Sequence, residues 1–147
     1  MRSALELSKY IISKCNNEDC PISNLQLQKI LYYIQGAFYR TFNKPAFDDD
    51  IEAWQHGPVV KNVYYEYSNY VASKLTMNIL NNVINEYDNS EIKVINEIIE
   101  KLKAKDAWEL VDMTHREDPW KLVSSYFGII SKESIKNWFN EHGEVVC

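Results

Sequence analysis

The chain has 147 residues, 46% hydrophobic and 25% charged, with 16 Lys and Arg against 21 Asp and Glu for a net charge of −5. These proportions exclude a disordered chain, and the length suits one domain, residues 1–147, able to bury a core without metal or disulfide staples. No apolar run approaches the ~18 residues of a membrane span, and Arg2, Glu6 and Lys9 interrupt the stretch that a secretory signal would keep apolar, so a soluble cytoplasmic protein is expected.

Ser3-Ala4-Leu5-Glu6 has the form of a helix-capping box, and Ala4, Leu5, Ser8, Ile11 and Ile12 follow at helical spacing. Ser23-Asn24-Leu25-Gln26 repeats the device ahead of a stripe of Leu27, Ile30, Leu31, Ile34 and Phe38 that runs to about Arg40. Cys20 and Pro21 sit in the turn between, so a helical hairpin is expected. Asn43-Lys44-Pro45 reads as a turn and Ile51–Gln55 as a short strand or extended loop, ended by Gly57-Pro58. Pro58 suits the first turn of a third helix, where its missing N–H costs nothing. Val59, Val60, Val63, Tyr64 and Tyr67 supply that helix with its stripe.

Residues 72 to 90, polar and rich in Asn, read as an irregular or weakly helical connector whose apolar patches include Leu75, Met77, Ile79, Leu80, Val83 and Ile84. Ser90 then caps a helix carrying Ile92, Ile95, Ile98, Ile99 and Leu102. Asp106 caps the next, with Leu110, Val111 and Met113. Asp118-Pro119-Trp120 opens a short one, and Ser131 opens the last, with Ile135, Trp138 and Phe139. Four glycines and four prolines are too few for the many turns of an all-β domain. The expected fold is mainly α: a compact bundle of six to eight helices with at most one short extended segment.

Chemistry-bearing patterns are sparse. No two glycines lie within ten residues of each other, so neither common phosphate-cradling loop can be drawn. Cys15 and Cys20 give one C-x4-C with no second pair, which argues against structural zinc. The odd count, completed by Cys147, reads as free thiols in a reducing compartment. A Cys15, His115 and Asp112 constellation could serve nucleophilic catalysis, but no spacing brings these together. A plainer reading has His115 bonding the last carbonyls of one helix and Asp118 capping the next. No cofactor, metal or catalytic residue is therefore expected, and the acidic balance argues against nucleic acid as a partner of this chain alone.

The unusual feature is aromatic content: 13%, with ten tyrosines and four tryptophans. On helices, Tyr32 and Tyr33 point about 100° apart, as do Tyr64 and Tyr65, so some should lie at the surface, where tyrosine suits protein interfaces. Gln28 and Lys29, polar positions beside the α-helical stripe, are further interface candidates.

Four segments together resemble a known family. Leu27-Gln28-Lys29-Ile30-Leu31-Tyr32-Tyr33-Ile34-Gln35-Gly36 resembles the L-Q-K-L-L-Y-Y-A-Q-G signature of the SocA-like antitoxin domain. That family is also called Panacea and includes phage-associated proteins of the GepA type. Ile51–Val60, with Trp54, Gly57 and Pro58, resembles its A-W-x-x-G-P-V motif. Val63-Tyr64-Tyr65-Glu66-Tyr67 resembles V-Y-x-x-Y, and Leu110–Trp120, with Thr114, His115, Pro119 and Trp120, resembles L-x-x-x-T-H-x-x-x-P-W. The resemblance implies a small helical antitoxin that neutralises a cognate toxin protein, encoded nearby, by direct binding. The alternatives are an adaptor delivering a partner to a cytoplasmic protease, and a DNA-binding regulator. The expected contact surface is the second and third helices: Gln28, Lys29, Tyr32, Tyr33, Tyr65 and Tyr67, with His115 near the same groove. Trp54, Gly57, Pro58 and Trp120 read more simply as turn and core residues.

Overall fold

The computed structural model describes residues 2–70, 73–77 and 83–142. Among these the protein is mainly α, with seven α-helices and one three-stranded sheet. Helix α1, Ala4–Asn17, starts at Ser3, whose hydroxyl accepts from the Glu6 N–H. Helix α2, Asn24–Phe42, starts at Ser23 with a complete capping box: Ser23 accepts from the Gln26 N–H, and the Gln26 side chain accepts from the Ser23 N–H. Strands β1, Ile51–Trp54, and β2, Gly57–Val59, form a hairpin leading into the short α3, Lys61–Glu66. Then come α4, Asn89–Leu102, α5, Ala107–His115, and the single-turn α6, Asp118–Lys121. Strand β3, Ile129–Ile130, and α7, Lys132–Glu141, complete the described chain, and β1 lies between β2 and β3, antiparallel to both.

Helix α2 is the spine. It packs against α1, α3, α4, α5, α7 and β2. From Leu27 to Tyr39 it has no exposed residue. A helix surrounded on all sides has no surface face, and this overturns the expectation that Tyr32 and Tyr33 belong to a contact surface. They do diverge around the helix, but neighbours wait on both sides, and both are fully buried. Close approach is possible at Gly36, where an added Cβ would lie 2.2 Å from the ring of Phe139 on α7. That ring packs edge-on against Tyr32 and Tyr33, with centroids 5.5 and 6.0 Å away.

Several local expectations change. Pro58 lies in β2, opposite Ala53, rather than in the first turn of α3. A third strand, β3, joins the extended pair. Asp88, not Ser90, is the N-cap of α4: its carboxylate accepts from the Glu91 N–H, and Ser90 donates to the same carboxylate. Asp106 holds the N-cap position of α5 without a side-chain cap bond. Of the polar connector, Leu75 is buried and Val83–Glu86 forms a 3-10 turn. Ile79, Leu80 and Cys147 lie outside the described residues. Cys15 and Cys20 are free, and burial pushes the Cys15 thiol up to about 12.

Candidate protein-interaction site

Buried main-chain groups in irregular segments need partners, and α2 supplies them from its own polar side chains. The Gln28 amide oxygen accepts from the Val60 N–H at 2.9 Å, at the start of α3. Lys29 donates to the Pro58 carbonyl at 3.1 Å. Gln35 accepts from the N–H groups of Ala46 and Phe47 and donates to the Phe47 carbonyl, fastening the loop before β1. Tyr32 and Tyr33 donate to the two carboxylate oxygens of Glu117 at 2.8 and 2.7 Å. Glu117 holds the N-cap position of α6, which Asp118 was expected to occupy, and makes no side-chain cap bond there.

The β1–β2 turn meets this seam at Gly57. Its φ of 108° lies in the left-handed region that favours glycine. A Cβ there would also stand 2.7 Å from both Lys29 Cε and Thr114 Oγ1. Thr114 donates to the Val111 carbonyl inside α5. His115, the last residue of α5, stacks on Trp120 with ring centroids 3.9 Å apart, and Trp120 donates to the Trp54 carbonyl at 2.8 Å. Pro119 is buried in the first turn of α6.

Burial governs the electrostatics. It lowers the Lys29 amine to about 7 and raises the phenols of Tyr32 and Tyr33 far above their ordinary range. It also raises the Glu117 carboxyl, against which the two tyrosine hydrogen bonds work. His115 is lowered, first by burial; a hydrogen bond to the Gln55 main chain works the other way, and the charge of Lys29 lowers it further. His115 therefore bonds toward the hairpin rather than capping its own helix, and its Nε2 has no hydrogen-bond partner among the described residues.

The structure thus places Gln28, Lys29, Tyr32 and Tyr33 inside the protein, with the half-buried His115 stacked on Trp120 at the edge of the seam. The four α2 residues are at most 1% exposed and can present no side chain to a partner. Tyr67 is buried too, on the other side of α3, and belongs to the core cluster. Tyr65 alone of the expected contacts is exposed, at 59%, beside Tyr64 and Trp54. Trp54 is half-buried on the outer side of β1. The motif residues form a scaffold that holds the hairpin, α5 and α6 onto the spine. Among the described residues, no group of three or more His, Cys, Asp or Glu is placed to hold a metal ion, and no helix is long and apolar enough to cross a membrane.

Surface positions missed by the periodic patterns are Trp108, Leu122, Tyr126, Phe127 and Ile129, each more than half exposed. Trp108 meets His56 edge-on at 5.0 Å over a recess of about 400 Å³ that also involves Asn24 and Tyr64. The other four fall between α6 and α7. The signal that could have found them is the apolar run Tyr126-Phe127-Gly128-Ile129-Ile130, which follows no helical period and stands between two helix starts.

The described residues form a mainly helical scaffold whose polar motif residues on α2 are buried and whose exposed large side chains are mostly aromatic. Comparison with known proteins places it more closely. The chain belongs to the family of SocA-like antitoxins, Panacea domain, which it matches over residues 27–121. It is similar to a curated protein of Caulobacter vibrioides (strain NA1000 / CB15N), Antitoxin SocA, with 27% identity over 132 residues covering 83% of this chain and 70% of that protein. No solved structure shows significant similarity.

Proposed function

We propose that this chain is an antitoxin that neutralises a toxic protein encoded beside it, by binding that protein in the cytoplasm rather than by catalysis. The observation that carries this reading is membership in the antitoxin family, reinforced by likeness to a curated antitoxin over most of the chain. Two features support binding over chemistry: Lys29 and the two tyrosines of the seam are sealed from solvent, whereas large aromatic side chains are displayed. A net charge of −5 favours a protein partner over a nucleic acid.

The test is co-expression with the adjacent reading frame. Growth arrest by the neighbour alone, rescue by this chain and co-purification of the two are expected. A harmless neighbour, or a toxic one neither bound nor rescued, defeats the proposal. Rescue should persist in cells lacking the cytoplasmic proteases. If it disappears there while binding remains, the chain is an adaptor for proteolysis.

A further inference from the structure

Of the six large hydrophobic side chains left exposed among the described residues, four fall in one short segment: Leu122 at 67%, Tyr126 at 66%, Phe127 at 60% and Ile129 at 55%. Single exposed apolar residues are ordinary, but four within the eight residues from Leu122 to Ile129 are not. Phe127 adds a second oddity. Its φ of 54° and ψ of 39° place it in the left-handed region just after a 3-10 turn, where glycine or asparagine is favoured. An aromatic residue there strains the backbone and, being 60% exposed, recovers little burial in the free chain. Ile129 is the register partner of Glu52, so it leaves the sheet on the face shared by Glu52 and, two residues on, Trp54. Strand β3 is paired on one side only, so its outer edge is open among the described residues.

Leu122, at the start of the strip, also lines a cleft of about 350 Å³ between α6 and α7, where it and Trp138 supply the apolar lining. Its charged lining is Asp118, Glu133 and Glu141, with no Lys or Arg. Lys121 reaches Asp118 at 3.8 Å. Glu133 and Glu141 form no ion pair among the described residues. An apolar floor with an acidic rim selects a partner segment of opposite charge.

We propose that the Leu122–Ile129 strip and the adjoining acidic cleft are the docking surface for the toxin, and that the toxin presents a segment combining apolar side chains with Lys or Arg. This rests on the antitoxin reading and replaces the buried face of α2 as the place of contact. Tyr126, Phe127 and Ile129 cover the toxin's apolar groups, and Glu133 and Glu141 meet its cations.

The test uses the full chain co-expressed with the product of the adjacent reading frame, read by growth rescue, co-purification and affinity. Phe127→Ser with Ile129→Ser, and separately Leu122→Ser with Tyr126→Ser, are expected to weaken binding roughly tenfold or more and to reduce rescue. Because these side chains are exposed, the melting temperature should hold. Glu133→Lys with Glu141→Lys should also weaken binding, and the variant should lose part of the salt dependence of the wild-type association. If either pair remains folded and rescues as wild type does, the surface assignment is overturned and the antitoxin reading stands. If the wild-type chain neither binds nor rescues, the antitoxin reading falls and takes this occupant with it. If the free chain forms a dimer that the same serine substitutions abolish, the strip belongs to a second copy and the toxin assignment is likewise overturned.

Discussion

Tyr32 and Tyr33 each give one oxygen of the largely buried Glu117 carboxylate its donor. Removing either hydroxyl leaves an acceptor without a partner, so Tyr32→Phe and Tyr33→Phe are each expected to cost about 1–3 kcal/mol in chemical denaturation. Because both bonds lower the Glu117 pKa, each variant should raise it further, measurable by NMR titration. Lys29 makes a second residue-scale prediction. Burial holds its amine at about 7, below the ordinary value of 10.5. Between those values the unfolded chain carries the proton and the folded chain does not. The unfolded state then binds more protons, and this group's contribution makes stability rise with pH through that window. Lys29→Met leaves the Pro58 carbonyl without its donor and at the same time removes the cost of burying an amine that is protonated in the unfolded chain. The distinguishing readout is the slope: urea midpoints at about pH 6.5 and about pH 8.5 should differ less in the variant than in the wild type.

At the scale of elements, the fold depends on what α2 offers to segments that have no regular structure of their own. Gln35 satisfies three main-chain groups of the loop at Ala46 and Phe47. Gln35→Met keeps the volume but orphans them, at a cost of about 2 kcal/mol or more. Hydrogen exchange should show the Ala46 and Phe47 amides losing protection ahead of the α2 interior. Gly36 sets a contest between two effects. Alanine in a helix gains about 0.8–1.0 kcal/mol over glycine, but the new Cβ would stand 2.2 Å from the buried Phe139 ring. Overpacking of that kind costs about 1–3 kcal/mol, so Gly36→Ala is expected to lower the denaturation midpoint despite its better helix propensity.

At the scale of the whole molecule, α2 touches α1, α3, α4, α5, α7 and β2. We propose that residues 1–147 unfold as one cooperative unit, because no large part can leave without uncovering the spine. Far-UV circular dichroism and tryptophan fluorescence should then give coincident melting curves. Separate transitions for the α1–α2 region and the α5–α7 region would show two units. The tryptophans report on the second region: Trp54 and Trp120 are joined by a hydrogen bond across the β1–α6 contact, and Trp138 lies on α7.

Helices and most of their starts were legible in the sequence because they are local. Ser3, Ser23 and Ser131 bond amides three residues ahead, and the isoleucines of α4 repeat at a period that needs no knowledge of the rest of the chain. The family motifs were legible for the same reason: they are short strings of residues. What those residues do was not legible, because it depends on how many sides of a helix are covered. Lys29, Tyr32 and Tyr33 look like a polar, half-exposed face when α2 is read alone. They become interior when α5, α7 and the β1–β2 hairpin, distant in sequence, close around it. Likewise β3 has only two residues and takes its strand character from pairing with β1, so no pattern inside it could announce it. The sequence by itself determined the helices and the family. Only the tertiary structure decided which aromatic residues are core and which are surface, since burial is a property of neighbours brought together by folding.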